Sequence, residues 1–392
     1  SHEDMRSLAR LFVSVETAFG AVEPDEAKLV TGIESNLKVK KLLGALTDKS
    51  SIPLKQLNSE ERRATLRLLK AFTPVRRLIS RHTRRLLRRY YEAGRISTSI
   101  PAREVADRFV SLSEQEAQVY AAMEDYISST YNNASQERRT AVGFVMTIYR
   151  RRLASSFYSL ANTLKKRLEA LKPGPGSTMD PVRIEEDLSD DEVQPEIMDV
   201  ETAQELEAEA LTAEEIGDLQ GLLESVRRLP TDTKATALLE AVNEVRADGY
   251  SQAMVFTQYT DTMDFLREFL VKQSSLRVMC FSGRGGEVLS GGGRWTRVTR
   301  DEIKRRFQEA WADILVCTDA AAEGLNFQFC GALVNYDMPW NPMKVEQRIG
   351  RIDRMGQKYD KVRIVNLHYE NTVEADVYIA LRERINLFET FV

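Results

Sequence analysis

Histidine and cysteine are scarce in this chain of 392 residues, with three of each. His2, His82 and His368 stand far apart, so no zinc-ligand spacing exists and no metal site is expected. Cys280, Cys317 and Cys330 lie in or beside apolar runs. That placement suits small core residues in a reducing cytoplasm better than a disulfide framework. No apolar stretch approaches the roughly 20 residues of a membrane helix, and no signal-peptide pattern is present. A cytoplasmic protein without a membrane partner is therefore expected. There is also no Gly-Lys dipeptide anywhere. The nearest approach to a phosphate-cradling loop, Gly44 to Ser50, lacks the glycine before its lysine. Asp25-Glu26-Ala27-Lys28 and Asp190-Asp191-Glu192 mimic an acidic magnesium box, but neither follows an apolar strand, and both read as surface.

What is present is unevenly charged. The net charge of −4 averages a basic stretch from Arg62 to Arg95 with an acidic one from Asp180 to Glu215, where Arg183 is the lone cation. In the basic stretch Arg77, Arg81, Arg85 and Arg89 form one i, i+4 stripe with Arg84 and Arg88 beside it. Such a stripe is either a solvated helix face or a contact for phosphates. Residues 1–171 read mostly as helix, and Ser113 to Glu116 is a capping-box pattern. Residues 172–215 read as a flexible acidic linker: two prolines and two glycines open it, and aromatics are few.

From 216 onward the pattern changes to alternating strands and helices. Apolar runs at Gln252–Thr257, Arg277–Phe281, Ile314–Thr318, Ala332–Tyr336 and Val362–Leu367 are separated by helical spacings. Crossovers this short predict a parallel sheet covered on both faces, an α/β fold. Ligands of such sheets sit beyond the carboxyl ends of the strands, where Thr257, Ser282, Thr318 and the turn 319–326 fall. Asn341-Pro342 opens a helix on which Gln347, Arg351 and Arg354 fall at i, i+4 and i+7, with Gly356 as its stop. Two guanidiniums one turn apart suit an anionic ligand with planar oxygens, such as a γ-phosphate. The glycines at 283, 285, 286 and 291–293 read as a mobile surface loop, with a nucleic-acid contact as the second reading.

Several ordered blocks resemble one family. TDAAAEGLN (318–326) resembles motif V of superfamily 2 helicases, and QRIGRIDRMGQ (347–357) resembles motif VI. YDMPWNP (336–342) resembles the form found in Swi/Snf-type ATPases, especially the bacterial branch near the RNA-polymerase-associated Swi/Snf ATPase. VFTQYTDTMDFL (255–266) and Phe281-Ser282-Gly283 resemble motifs IV and IVa. The resemblance implies a RecA-like lobe over 216–392 with a brace helix at its end. It implies that Arg351 and Arg354 reach the γ-phosphate of ATP, and that Gln347, Gly324 and Asn326 border the nucleotide. Asn326 departs from the aspartate that often binds ribose there. Thr257, Ser282, Gly283, Thr318 and Asp319 would meet the nucleic-acid backbone, joined by Arg77, Arg81 and Arg85.

Taken together, the chain reads as the second motor lobe of a DNA-dependent ATPase that translocates on duplex DNA. ATP with Mg²⁺ would be held mainly by an upstream RecA-like lobe of the same protein, without which this chain would be inactive. Three alternatives stand beside that reading. One is a strand-separating helicase of the phage-defence DISARM type, working with defence-system subunits. Another is a non-catalytic nucleic-acid module built on the arginine stripe. The third is a protein-docking piece, for instance onto RNA polymerase.

Overall fold

The computed structural model describes residues 9–10, 12–13, 16, 20–47, 57–72, 87, 90–98, 100–134, 136, 139–170, 213–230, 232–319 and 326–385. Arg77, Arg81, Arg85 and Gly324 lie outside the described residues, as does nearly all of the segment read as a linker. The chain divides into two compact units, Ser1–Thr83 and Arg84–Val392.

In the first unit, helices α1 (Pro24–Thr31), α2 (Asn36–Leu46) and α3 (Ser59–Ala71) enclose Val39, Leu42, Leu68 and Leu69. Asn58 starts α3 by a reciprocal capping box with Glu61.

The second unit is built on one eight-stranded sheet in the order β1-β8-β7-β2-β6-β3-β4-β5. Its strands are β1 (Ala102–Val110), β2 (Ala253–Thr257), β3 (Val278–Ser282), β4 (Gly285–Leu289), β5 (Trp295–Val298), β6 (Ile314–Thr318), β7 (Ala332–Asn335) and β8 (Lys361–Tyr369). The ladder is parallel from β1 to β3 and antiparallel from β3 to β5. The expected strands are therefore present and parallel. Alternation of side chains fills two layers. Met254, Phe256, Leu315, Cys317 and Leu333 face helices α10 (Arg300–Gln308) and α11 (Pro342–Ile349). Val255, Ile314, Val316 and Val334 face α8 (Thr233–Ala247) and α9 (Thr260–Gln273). Burial on both faces is what makes these strands continuous apolar runs. A third apolar cluster packs α4 (Glu114–Asn133), α5 (Arg139–Ser155), α6 (Phe157–Ala170) and α7 (Ala213–Arg227) together, with Tyr369 of β8 joining it. The capping box at Ser113 and Glu116 forms as read. Helix α12 (Val373–Ile385) follows β8 and sets Tyr378 into the first core layer. No helix among the described residues is long and apolar enough to cross a membrane.

Three sequence expectations change. Strand β1 lies inside the region read as mostly helical and pairs with β8 over nine residues. The glycine-rich stretch is a β-hairpin rather than a loop: β4 and β5 extend the sheet edge. Helix α11 ends at Ile349, with Gly350 as its cap, instead of running to Gly356. Gly356 has φ +83, a left-handed conformation that glycine adopts without cost.

The hairpin glycine with the tightest surroundings is Gly286. A Cβ there would lie 2.0 Å from Cγ1 of Ile303, a buried residue of α10. Gly286→Ala is expected to destabilise by roughly 1–3 kcal/mol through overpacking. Chemical denaturation measures this, and an unchanged midpoint would show that α10 yields freely.

Candidate nucleotide and nucleic-acid site

Three strand ends meet the helix that bears the arginines. β2 and β6 are in register, so Thr257 lies opposite Thr318, and β7 lies on the other side of β2. After β7, Asn341 caps α11 by accepting from Met343 N–H at 2.9 Å, with Pro342 in the first turn. Val345, Arg348, Ile349 and Ile352 then fall on the side that faces the core.

Arg348 is the largest fully buried side chain of the molecule's described part. Its guanidinium donates to Asp319 Oδ2 at 2.8 Å, to the Asp337 carbonyl at 2.7 Å and to Asn335 Oδ1 at 3.1 Å. Burial disfavours its charge, but Asp319 and Asp337 outweigh burial and hold its pKa above the ordinary value. Asp337 is a second hub. Its Oδ2 accepts from Thr257 Oγ1 and Ser155 Oγ, both at 2.6 Å, and its Oδ1 accepts from Gln258 N–H at 2.9 Å. One buried network thus ties the ends of β2, β6 and β7 to α11 and to the junction of α5 with α6.

Upon this base stands an open turn. Gln347 and Arg354 are exposed and Arg351 is half-buried. Arg351 Nε donates to the Gln347 carbonyl at 3.1 Å, and Arg354 Nε to the Gly350 carbonyl at 2.8 Å. Each guanidinium is thereby folded back over one turn of chain. Phe327 N–H donates to the Arg351 carbonyl at 3.0 Å, which sets Asn326 beside the same turn. Asn326 itself accepts from Gln328 N–H and donates to Gln328 Oε1. Gln347, Asn326, Arg351 and Arg354 are therefore brought together.

The residues expected at nucleic acid divide differently. Thr257 is fully buried with its hydroxyl bonded to Asp337, so it supports the site from within and offers no hydroxyl to a phosphate. Asp319 holds Arg348 through both oxygens, so its carboxylate anchors the arginine. Thr318 is 3% exposed and its Oγ1 has no hydrogen-bond partner among the described residues. Ser282 accepts from Arg284 N–H at 3.2 Å, and Gly283 next to it is exposed.

Arg348, within the segment that resembles motif VI, is not singled out by the sequence reading. Its spacing from Val345 and Ile349 puts it on the apolar side of the helix, which is the signal that could have found it. Arg103 of β1 was also missed. It binds Glu346 and Asp353, which flank the open turn, and lies 243 and 250 residues from them in sequence. No local pattern announces such a pair.

Residues 233–356 match the family model of the helicase conserved C-terminal domain. This segment is a helicase C-terminal domain. A relative of the chain is the uncharacterized ATP-dependent helicase YqhH of Bacillus subtilis (strain 168), 35% identical over 171 residues. The match takes in 44% of this chain and 28% of that protein. The RNA polymerase-associated protein RapA of Vibrio campbellii (strain ATCC BAA-1116) is 36% identical over 131 residues, 33% of this chain and 12% of that one. The crystal structure of the C-terminal part of the Fun30 ATPase domain aligns with a TM-score of 0.41 at 15% identity, covering 71% of this chain and 89% of that chain. The helicase C-terminal domain holds Arg348 and the whole open turn up to Gly356. β1, β8 and helices α4 to α7 lie outside the matched residues but share its sheet or pack beside it.

Proposed function

We propose that this chain supplies the second motor lobe of a DNA-dependent ATPase of the Swi/Snf type, a translocase on duplex DNA. The observation that carries the reading is the pair Arg351 and Arg354 on an open turn, held over a buried arginine whose charge is already matched. Such a pair suits the γ-phosphate of ATP, because guanidiniums present planar donors to phosphate oxygens. In this reading ATP binds between this lobe and a phosphate-cradling lobe that precedes it in the same protein. Gln347, Asn326 and the backbone of Gly324 border the nucleotide. Among the described residues no group of three or more His, Cys, Asp or Glu could hold a metal ion. The reading assigns Mg²⁺, which would neutralise phosphate charge, to the other lobe. Arg351 and Arg354 stabilise the charge that develops on the transferred phosphoryl group. Gly283, exposed beyond the end of β3, is the proposed contact to the DNA backbone, while Ser282 and Thr318, 2% and 3% exposed, support the strand ends from within. Closing and reopening of the cleft steps the motor, and RNA polymerase is a candidate protein partner.

The test is ATP turnover with and without duplex DNA, for this chain and for the natural protein that contains it. Arg351→Ala or Arg354→Ala in that protein is expected to lower DNA-stimulated turnover by roughly 10³-fold or more. Thermal stability should stay near wild type, since neither side chain is core. Turnover kept within tenfold would remove the arginines from the mechanism. Turnover by this chain alone would place a phosphate-binding site within it and overturn the division of labour.

A further inference from the structure

We propose that Arg103, on strand β1 outside the helicase C-terminal domain, is the positioning residue for the turn that carries Arg351 and Arg354. The inference rests on the reading of that turn given above. Arg103 Nη1 and Nη2 donate to Glu346 Oε1 and Oε2, both at 2.9 Å, and Nε donates to Asp353 Oδ2 at 2.6 Å. The three side chains are 9%, 10% and 0% exposed. All three directions of one planar guanidinium are thus used on two carboxylates, a geometry that lysine cannot reproduce.

The place of those carboxylates gives the contact its meaning. Glu346 immediately precedes Gln347, and Asp353 sits between Arg351 and Arg354. Helix α11 ends between them, at Ile349, and the chain continues through short turn bonds such as Ile352 N–H to the Ile349 carbonyl. One guanidinium therefore bridges the two sides of the helix end. It is borne on a strand fixed to β8 along a nine-residue ladder. Two effects follow. The turn is held at a set height above the sheet. Glu346 and Asp353 are also kept occupied, so that they do not draw Arg351 and Arg354 away from an incoming phosphate. Removing Arg103 would release two carboxylates beside the half-buried Arg351 and the exposed Arg354, and new ion pairs would close the open face.

The experiment has two arms. The first is amide hydrogen exchange on this chain. In Arg103→Gln, amides of residues 350–357 should exchange at least tenfold faster while those of β6 keep their protection. Unchanged protection in the turn overturns the proposal. Should Arg103→Gln lose the fold, Arg103→Lys keeps the charge without the fork and should show the same local loss. The second arm is ATP turnover by the natural protein containing the chain. Arg103→Gln should lower kcat at least tenfold with KM for ATP and DNA affinity within about threefold of wild type. Adding Glu346→Gln and Asp353→Asn should return part of the lost kcat. A kcat within twofold of wild type, beside a large loss in Arg351→Ala, overturns the positioning role alone. If wild type turns over ATP but Arg351→Ala does not impair it, the reading of the turn fails, and the exchange arm still decides whether Arg103 holds it.

Discussion

Arg348→Ala is expected to cost roughly 3–5 kcal/mol, because it leaves the buried Asp337 and the half-buried Asp319 without their cation. For a unit of this size that corresponds to a fall in Tm of about 5–8 °C. The same substitution empties the space under Phe256, over which the guanidinium lies at 5.4 Å. Arg348→Lys should recover little, since one ammonium cannot reach Asp319, Asn335 and the Asp337 carbonyl together. Circular dichroism melts of the three proteins measure this. A Tm within 3 °C of wild type for Arg348→Ala would mean that the two aspartates find other partners, and the buried network would lose its claim to hold the strand ends.

A pair of opposed titrations gives the second large effect. His368 of β8 is buried between Phe109 and Tyr378, with ring centroids at 5.3 and 4.1 Å, and neither ring nitrogen has a hydrogen-bond partner among the described residues. Burial, reinforced by Lys234 and Arg382, lowers its pKa from 6.5 to about 3. Its contribution to stability is thus present above pH 6.5 and lost as pH falls towards 3. Glu374 of α12 is buried as well, 4.0 Å from the enclosed Lys234. Burial raises its pKa from 4.5 to about 7; Asp337 adds to the rise, while Lys234 and the Met338 N–H oppose it. Its contribution is present below pH 4.5 and lost as pH rises through 7. Between pH 4.5 and 6.5 these two slopes oppose each other, so their joint contribution there is nearly flat. His368→Phe keeps a flat ring in the stack and exposes the Glu374 slope, a loss of about 3 kcal/mol from pH 4.5 to 7. Glu374→Gln exposes the other slope, a gain of about 3 kcal/mol from pH 4.5 to 6.5. Urea midpoints across this range decide it; two variants with the pH dependence of wild type would sink the account.

Much of the sheet could be read directly from the residues. β2, β3, β6, β7 and β8 are buried on both faces, so each appears as an apolar run of the right length. The N-cap at Asn341 and the capping box at Ser113 are local and were equally legible. β1 was not. Its residues Arg103, Glu104, Asp107 and Arg108 carry charges that edge position and ion pairing permit, so the run shows no clean alternation. The hairpin was hidden by its glycines, of which Gly286 is required because Ile303 leaves no room there for a side chain. At the site, the motif spacing located Arg351 and Arg354 but not the side chains beneath them. Thr257 and Asp319 looked like surface contacts because their strand ends face the ligand side. Only the fold shows that Asp337 and Arg348 lie closer and take up their polar atoms.

The parallel pairing of β1 with β8 has a mechanical consequence. In parallel neighbours the start of one strand and the end of the other lie at opposite ends of the ladder, and the hydrogen bonds are evenly spaced. Tension applied between the chain entering β1 and the chain leaving β8 therefore pulls along the strands and loads the nine-residue ladder in shear. Its bonds share the load and must give way together, where a peeled hairpin would open one bond at a time. The strand that carries Arg103 is in this way anchored against a pull along its own length.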